Sequence, residues 1–396
     1  MRWGVFLFFL LFAQSLFSAD VSWKKIGHYD VDRLKEVLTK EAEVFNPGAP
    51  TYVEPIHGAT LYRITYQSVI PEQNNRRITA TGLVAIPDGM DAKGNVRHLP
   101  VISYQHGTVL GKQDVPSFPE NSYEARLLIA LFAGHGYVVI APDYFGLGES
   151  VGKEAYIVVG SQQQSCMDFL AAAKQMLADE NIAPTALFLG GWSQGGFVTQ
   201  AFLQRLEQMG MPVAAAATVA APSDPFAFIN GFLHFPRAID PSWRSILFIN
   251  LAFAYENYYG VPGLASSFIK PESYALAKRI YLREGVTVKD LPDGLDHLVR
   301  EEYSDPVYFA ETMFGRLLRE AQPYRWVYQT PMKMYYSEAD EILRPTQARL
   351  ATHYQQSMGN DKVSAILIGE TLNHRGAFAH AVPEWKTWFD TFISSD

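Results

Sequence analysis

The chain has 396 residues, of which 48% are hydrophobic and 19% are charged, and it contains a single cysteine. This composition excludes a disordered chain and a disulfide scaffold, and the length suffices for one large domain or two smaller ones. Asp and Glu outnumber Lys and Arg by 41 to 33, and the net charge of −8 has the wrong sign for a protein that wraps phosphate backbones. Nucleic acid is therefore not an expected partner.

The N-terminus has the three zones of a secretory signal peptide. Arg2 precedes an apolar stretch at residues 3–13, and small and polar residues continue to Ala19. The apolar stretch is shorter than the roughly 20 residues that cross a bilayer. We expect residues 1–19 to be a signal peptide that is cleaved after Ala19, which predicts a secreted or periplasmic protein.

Strand-like and helix-like segments alternate along most of the chain, which is typical of an α/β protein with a mostly parallel sheet. Residues 61–70 and 78–86 predict an early antiparallel pair of strands. The later predicted strands are residues 101–105, 137–141, 186–190, 213–220, 332–336 and 363–368. The predicted helices are residues 123–132, 164–178, 194–209, 345–358 and 383–392.

This alternation is interrupted between Pro222 and about Tyr324, where no clear strand is predicted and aromatic residues are frequent. A structureless loop of this length, roughly a hundred residues, would be very unusual in a compact protein. We therefore predict a helical cap at residues 222–324, inserted into an α/β core formed by residues 20–221 and 325–396.

A Gly-x-Ser-x-Gly motif lies where a predicted strand turns into a predicted helix. Its glycines are Gly191 and Gly195, and its serine is Ser193. A sharp turn at this place pushes a serine hydroxyl out of the sheet, and glycines on both sides relieve the crowding. The motif predicts that Ser193 is a nucleophile; an ordinary serine in a tight turn is the alternative.

A nucleophilic serine needs a base, which in this kind of fold follows it late in the chain. Three histidines are possible: His353, His374 and His380. His353 is in the middle of a predicted helix on the outside of the sheet. His374 is six residues beyond the predicted strand end at Ile368, within the usual loop length of about 2 to 6 residues, whereas His380 is twelve residues beyond it. We prefer His374 and keep His380 as the alternative.

The acid that orients this base is expected after the strand at residues 332–336. Glu338, Asp340 and Glu341 follow that strand. A short side chain is easily buried at a fixed distance from an imidazole, which favours Asp340. The two glutamates are then expected to be solvated loop charges.

Acyl-transfer intermediates need backbone N–H donors that stabilise an oxyanion, one from the residue after the nucleophile and one from the loop after the third core strand. Gln194 supplies the first donor. Thr108, or Gly107 beside it, fits the second, and His106 is expected to hold this loop by a side-chain hydrogen bond. No metal-binding pattern occurs, and residues 146–151 lack the third glycine of a dinucleotide-binding motif. We expect neither a metal nor a cofactor.

These motifs, in this order, resemble those of the secretory lipase family within the α/β-hydrolase superfamily. They are residues 104–108, 142–148, 191–196, 338–340 and 373–375. The resemblance covers residues 61–392 and implies an eight-stranded core, a helical lid after the sixth strand, and a Ser193, Asp340, His374 triad that acts on carboxylic esters. Extracellular fungal members usually carry disulfides, which Cys166 alone cannot form, so this chain is placed nearer to bacterial relatives.

The sequence therefore predicts an exported lipase or carboxylesterase that acts on small-molecule or lipid esters. Aromatic residues of the cap predict an apolar pocket for the acyl or alcohol group. We expect transient contact with lipid interfaces and no obligate protein partner. Two alternatives remain: a serine peptidase or amidase of the same fold, and a hydrolase-like binding protein without catalytic activity.

Overall fold

A computed structural model describes residues 21–89, 96–286, 290 and 294–393. These residues form one nine-stranded sheet. Its strands are β1 Ser22–Tyr29, β2 Ala59–Ile70, β3 Arg76–Pro87, β4 Arg97–Gln105, β5 Val138–Pro142, β6 Ile182–Trp192, β7 Ala215–Val219, β8 Met332–Ser337 and β9 Val363–Gly369. The predicted signal peptide lies outside the described residues.

The strands are ordered β1-β2-β3-β5-β4-β6-β7-β8-β9 across the sheet. The first three strands form an antiparallel meander, β3 pairs antiparallel with β5, and all pairs from β5 to β9 are parallel. The sheet has one strand more than the eight expected, because β1 pairs along the outer edge of β2.

The helices connect the strands and cover the sheet. They are α1 Val31–Glu36, α2 Ala42–Phe45, α3 Tyr123–Leu131, α4 Val159–Asp179, α5 Gln194–Gln208, α6 Pro225–His234, α7 Ser245–Tyr258, α8 Leu264–Phe268, α9 Pro271–Leu282, α10 Pro306–Glu311, α11 Met313–Glu320, α12 Pro345–Ala348, α13 Leu350–Ser357 and α14 His374–Asp390. A π-helical segment, Val37–Glu41, joins α1 to α2.

The central strands are buried because helices pack against them. Helices α4 and α5 contact each other and several central strands, and α14 contacts both α3 and strands β6 to β9. Every residue of β5 and β7 is buried. A strand that is covered on both faces is apolar throughout, and its side chains do not alternate between apolar and polar. This burial explains the short continuous hydrophobic runs of β5 and β7 in the sequence.

Helices α6 to α11 lie between β7 and β8, where the sequence predicts a helical insertion. Many of their aromatic side chains pack against one another. The Phe226 ring stacks on Phe309 at 4.9 Å between centroids, and Phe268 contacts Phe314 at 4.7 Å. The lid function and the boundaries of this insertion stay predictions. In the part of the chain that the structure describes, no helix has both the length and the apolar character needed to cross a membrane.

The turn after β5 is built around a buried carboxylate. Asp143 accepts hydrogen bonds from the Thr81 hydroxyl at 2.6 Å and from the Ser117 N–H at 2.9 Å. Gly146 and Gly148 in this turn have positive φ angles of 83° and 61°. A side chain at Gly148 would also collide with the Asp143 carboxylate. The turn is therefore structural, as the missing third glycine of the dinucleotide motif indicates.

Candidate active site

Ser193 connects strand β6 to helix α5 in a strained conformation. Its backbone angles are φ 56° and ψ −121°, a region that non-glycine residues rarely adopt. A Cβ atom at Gly195 would lie 1.9 Å from the Gln105 carbonyl oxygen, and one at Gly191 would lie 2.2 Å from the Gly195 carbonyl oxygen. The close approach of these backbones requires both glycines, which is the physical reason for the motif around Ser193.

His374 and Asp340 form a buried pair. The His374 Nδ1 atom is 2.9 Å from Asp340 Oδ2 and 3.1 Å from Oδ1. The backbone N–H groups of Ile342 and Leu343 each donate to Asp340 Oδ1 at 2.8 Å. These bonds hold the carboxylate in one orientation, and an Nδ1 proton that points at Asp340 leaves Nε2 of a neutral His374 ring as the acceptor.

The position of His374 is set by a helix start. His374 is the first residue of α14, and the Asn373 side chain caps this helix by accepting from the Gly376 N–H at 2.8 Å. The His374 N–H donates to Glu341 Oε2 at 2.8 Å. The sequence predicts that this helix begins near Pro383, and that prediction is wrong by nine residues: Pro383 lies inside the helix.

Burial and charge act on His374 in opposite directions. Burial favours the neutral ring and lowers its pKa. The charge of Asp340 and its hydrogen bond to the ring, together with the charges of Glu341 and Glu124, favour the imidazolium and outweigh burial, so the pKa of His374 is raised above its usual value of 6.5. The site is thus arranged to stabilise a positive charge on this ring.

The alternative candidates lie elsewhere. His380 is on α14, where its Nδ1 is bonded to the Gly376 carbonyl at 2.9 Å, and His353 is exposed on α13. Glu338 is exposed, as expected of a solvated loop charge. Glu341 does not fit that expectation, because its carboxylate binds the His374 backbone and lines a cavity. The acidic loop thus contributes two side chains to the site rather than one.

A cavity of about 520 Å³ brings the predicted residues together. Its walls contain Ser193, His374, Gln194 and Thr108, and Asp340 lies behind His374. Among the hydrogen bonds of the described residues, none joins the Ser193 hydroxyl to His374; such bonds are often long before a substrate binds. The remaining lining residues are Leu110, Tyr156, Trp192, Pro222, Phe228, Trp243, Ile246, Leu247, Glu341, Ile342, Asn373 and Arg375.

The loop after β4 distinguishes between its two candidate oxyanion donors. The Gly107 N–H donates to Glu124 Oε2 at 2.8 Å and is therefore occupied. The Thr108 N–H donates in no hydrogen bond between described residues, and the Thr108 hydroxyl lies 2.9 Å from that of Tyr156. Gln194 is the first residue of α5, so its N–H has no partner within the helix. Thr108 and Gln194 remain the two candidate donors.

His106 is buried beneath this loop, as the expected side-chain hydrogen bond requires. Its Nδ1 lies 2.7 Å from the Gly107 carbonyl oxygen and its Nε2 lies 3.2 Å from the Asp143 carbonyl oxygen. Burial lowers the pKa of His106 from 6.5 to about 4. The ring is therefore neutral at pH 7 and donates from one nitrogen only.

Two charged residues near the site have no distinctive signal in the sequence. Glu124 is in the first turn of α3, where acidic residues are common in any helix. Arg237, between α6 and α7, donates to the backbone carbonyls of Asp340 at 3.1 Å and Glu341 at 2.9 Å. The two contacts of Arg237 join segments far apart in the chain, and local sequence patterns do not predict such contacts.

Within residues 21–89, 96–286, 290 and 294–393, no group of three or more His, Cys, Asp or Glu side chains is placed to hold a metal ion. The site described above consists of protein groups: a hydroxyl, an imidazole, a carboxylate and backbone donors.

Comparisons with known proteins agree with this fold. Residues 106–384 match the family model described as the alpha/beta hydrolase family. A comparison with curated protein sequences gives no significant match. The chain belongs to the alpha/beta hydrolase family.

Solved structures of this fold resemble nearly the whole chain. A Legionella pneumophila protein assigned as a hydrolase has 22% identity and a TM-score of 0.81, and the match covers 95% of this chain and 98% of that one. The rice cell wall degrading esterase LipA from Xanthomonas oryzae has 20% identity and a TM-score of 0.78, with 93% and 96% covered. Candida antarctica lipase A has 15% identity and a TM-score of 0.60, with 80% and 73% covered.

Proposed function

We propose that this protein is an exported serine hydrolase that cleaves carboxylic esters, as a lipase or carboxylesterase. One observation carries the proposal: a single cavity is lined by both the strained Ser193 and His374, and the Nδ1 atom of His374 is bonded to the buried Asp340 carboxylate. Nucleophile, base and orienting acid follow one another in the order typical of this fold. The esterase and the lipase among the similar structures support the reaction class.

In the proposed reaction, Ser193 Oγ attacks the ester carbonyl carbon while His374 Nε2 takes the hydroxyl proton. Asp340 stabilises the imidazolium, and the N–H groups of Gln194 and Thr108 stabilise the oxyanion. Collapse of the intermediate breaks the bond to the alcohol, which leaves with the proton from His374. Water, activated by the same base, then attacks the acyl-enzyme and releases the carboxylic acid and free Ser193.

The cavity walls favour a substrate with an apolar group. Phe228, Trp243, Ile246 and Leu247 of the helical insertion line the cavity, and these side chains bury apolar area without offering charges. A small-molecule or lipid ester fits such a cavity. We propose that the helices bearing these side chains act as a lid and make transient contact with lipid interfaces.

Export rests on the sequence alone, with its charged, apolar and small-residue zones at residues 1–19. We propose that the mature enzyme is secreted or periplasmic. It then needs neither a cofactor nor a protein partner for the reaction above.

Hydrolysis of p-nitrophenyl esters compared with aminoacyl anilides tests the reaction class. We expect kcat/KM to be at least about 100-fold higher for esters, because p-nitrophenolate is a better leaving group than the aniline of an anilide, and Ser193→Ala to abolish both activities. Faster hydrolysis of the anilides would make the protein a peptidase or amidase of the same fold. Ester hydrolysis that persists in Ser193→Ala would contradict the proposed nucleophile.

A further inference from the structure

The loop that carries the Thr108 N–H is fixed at three points. Tyr144 Oη donates to the His106 carbonyl at 3.1 Å, and the Gly107 N–H of the same peptide donates to Glu124 at 2.8 Å. The next peptide group joins Gly107 to Thr108. Its carbonyl oxygen lies 2.7 Å from the His106 ring, and its N–H, that of Thr108, is left for a ligand. Of these three contacts, the one from Glu124 is the only one made by a charged group.

Glu124 is itself held in place. Its Oε2 atom accepts from the Tyr104 hydroxyl at 2.6 Å as well as from Gly107. A Cβ atom at Gly107 would lie 3.2 Å from Glu124 Oε1 and 3.3 Å from the Trp192 ring, so the carboxylate and this ring enclose the Gly107 backbone. The Trp192 ring in turn lies 5.0 Å from the His374 ring. Glu124, the oxyanion loop and the base thus form one continuous packed unit.

We propose that Glu124 is a positioning residue of the active site: its carboxylate aligns the Thr108 N–H with the oxyanion and adds a negative charge beside the base. This inference rests on the proposed function. Glu124 does not contact the substrate in this account. It acts through Gly107 on the oxyanion donor, and through space on His374.

The charge on Glu124 is set by its neighbours. Tyr104 from β4, Tyr144 from the loop after β5, and His374 and Arg375 from α14 all interact with it electrostatically. Burial raises the pKa of the Glu124 carboxyl, while the hydrogen bonds from Tyr104 and Gly107 oppose that rise. Asp340 and Glu341, from the loop after β8, are the other carboxylates that act on His374.

Two variants separate the two roles. In Glu124→Gln the amide oxygen still accepts from Gly107 and Tyr104, but the negative charge is gone. In Glu124→Ala the accepting oxygen and the negative charge are both lost. Glu120→Gln is the matched control, because it removes one charge from the exposed turn just before the same helix. Each kcat is divided by the fraction of sites that an organophosphonate labels, so that unfolded protein does not count.

We expect Glu124→Ala to lower kcat per site by about 10- to 100-fold with little change in KM, because a misaligned donor weakens only transition-state binding. We expect Glu124→Gln to retain kcat within about threefold. In both variants the acid limb of kcat/KM should move to lower pH by at least about 0.3, since an imidazolium with one negative charge fewer acting on it loses its proton more readily. Glu120→Gln should match the unmodified protein in kcat, in KM and in the position of the acid limb.

A Glu124→Ala protein with unchanged kcat per labelled site would overturn the positioning role, even if it unfolds more easily. An acid limb that stays in place in Glu124→Gln would overturn the electrostatic role. An unmodified protein that neither takes up the label nor hydrolyses any ester would contradict the proposed function instead, so the two failures are distinguishable.

Discussion

His374 and His380 lie on the same helix, and their different surroundings show how position decides the chemistry of a side chain. Six residues turn an α-helix by about 240°, so the two rings point in different directions. His374 is bonded to a buried carboxylate and lines the cavity, whereas His380 is bonded to the backbone of its own helix. Only the first has an oriented free nitrogen at the site.

We therefore expect His374→Ala to lower kcat for ester hydrolysis by about 10⁴-fold or more with the fold intact, as expected for the loss of a general base. His380→Ala is the matched control on the same helix and should change kcat by less than about threefold. Steady-state kinetics of both purified variants measure the difference. Equal losses in the two variants, or activity retained in His374→Ala, would exclude His374 as the base.

At the residue scale, the sequence identifies a candidate residue wherever the local backbone requires a recognisable pattern. Ser193 is marked by the glycines that its turn requires, and His374 by its distance from a predicted strand. Glu341 and Glu124 carry no such pattern. Their partners, the His374 and Gly107 N–H groups, are 33 and 17 residues away along the chain and become neighbours only in the folded protein.

At the scale of elements, the helical insertion is tied to the loop that carries the acid. Arg237 Nε bonds to Asp240 Oδ1 at 2.8 Å, and its terminal nitrogens donate to the carbonyls of Asp340 and Glu341. Asp240 is almost fully buried, with 1% of its side chain exposed. The guanidinium therefore connects the segment between α6 and α7 to the two residues that hold His374.

We predict that Arg237→Gln lowers kcat by about 10-fold while KM for a short ester changes little, because the backbone that carries Asp340 and Glu341 loses the contacts that fix it. Arg316→Gln removes the same charge from an exposed site on the insertion and serves as the control. Kinetics with one ester measure both variants. An Arg237→Gln enzyme with normal kcat would show that the acid loop keeps its geometry without this contact.

Helix α14 shows why element boundaries were harder to predict than element types. Proline is favoured at the start of a helix, which places the predicted start at Pro383. In the structure the helix continues through Pro383. Proline has no N–H for the Ala379 carbonyl four residues earlier, and the Tyr52 hydroxyl donates to that carbonyl at 3.1 Å instead. A side chain distant in sequence thus replaces the backbone hydrogen bond that Pro383 cannot make, and the helix continues where the local sequence predicts a boundary.

On the scale of the whole molecule, the parallel direction of the central strands determines where the candidate site residues lie. The Thr108 loop, Ser193, Asp340 and His374 follow strands β4, β6, β8 and β9, which are parallel, so all lie at the same edge. The order of buried strands and helices predicts this arrangement. Strand β1 was not predicted because it is an edge strand in which half of the residues are exposed, and Lys24 and Lys25 interrupt its apolar pattern.

The proposed export is tested by the N-terminus of the mature protein. We expect the exported protein to begin at Asp20, because cleavage after Ala19 completes the signal pattern. Intact-mass analysis of protein collected outside the cytoplasm measures this directly. A variant that lacks residues 2–19 should remain inside the cell. Recovery of exported protein that still carries Met1 would contradict a cleaved signal.

The central claim, that His374 activates Ser193, is tested most directly by the rate at which an organophosphonate labels the folded protein. The account predicts one adduct per molecule on the peptide that contains Ser193, at a rate that falls by orders of magnitude in His374→Ala and is unchanged in His380→Ala. A folded, unlabelled protein, or an adduct on another residue, would contradict the account and favour a binding protein with a hydrolase fold.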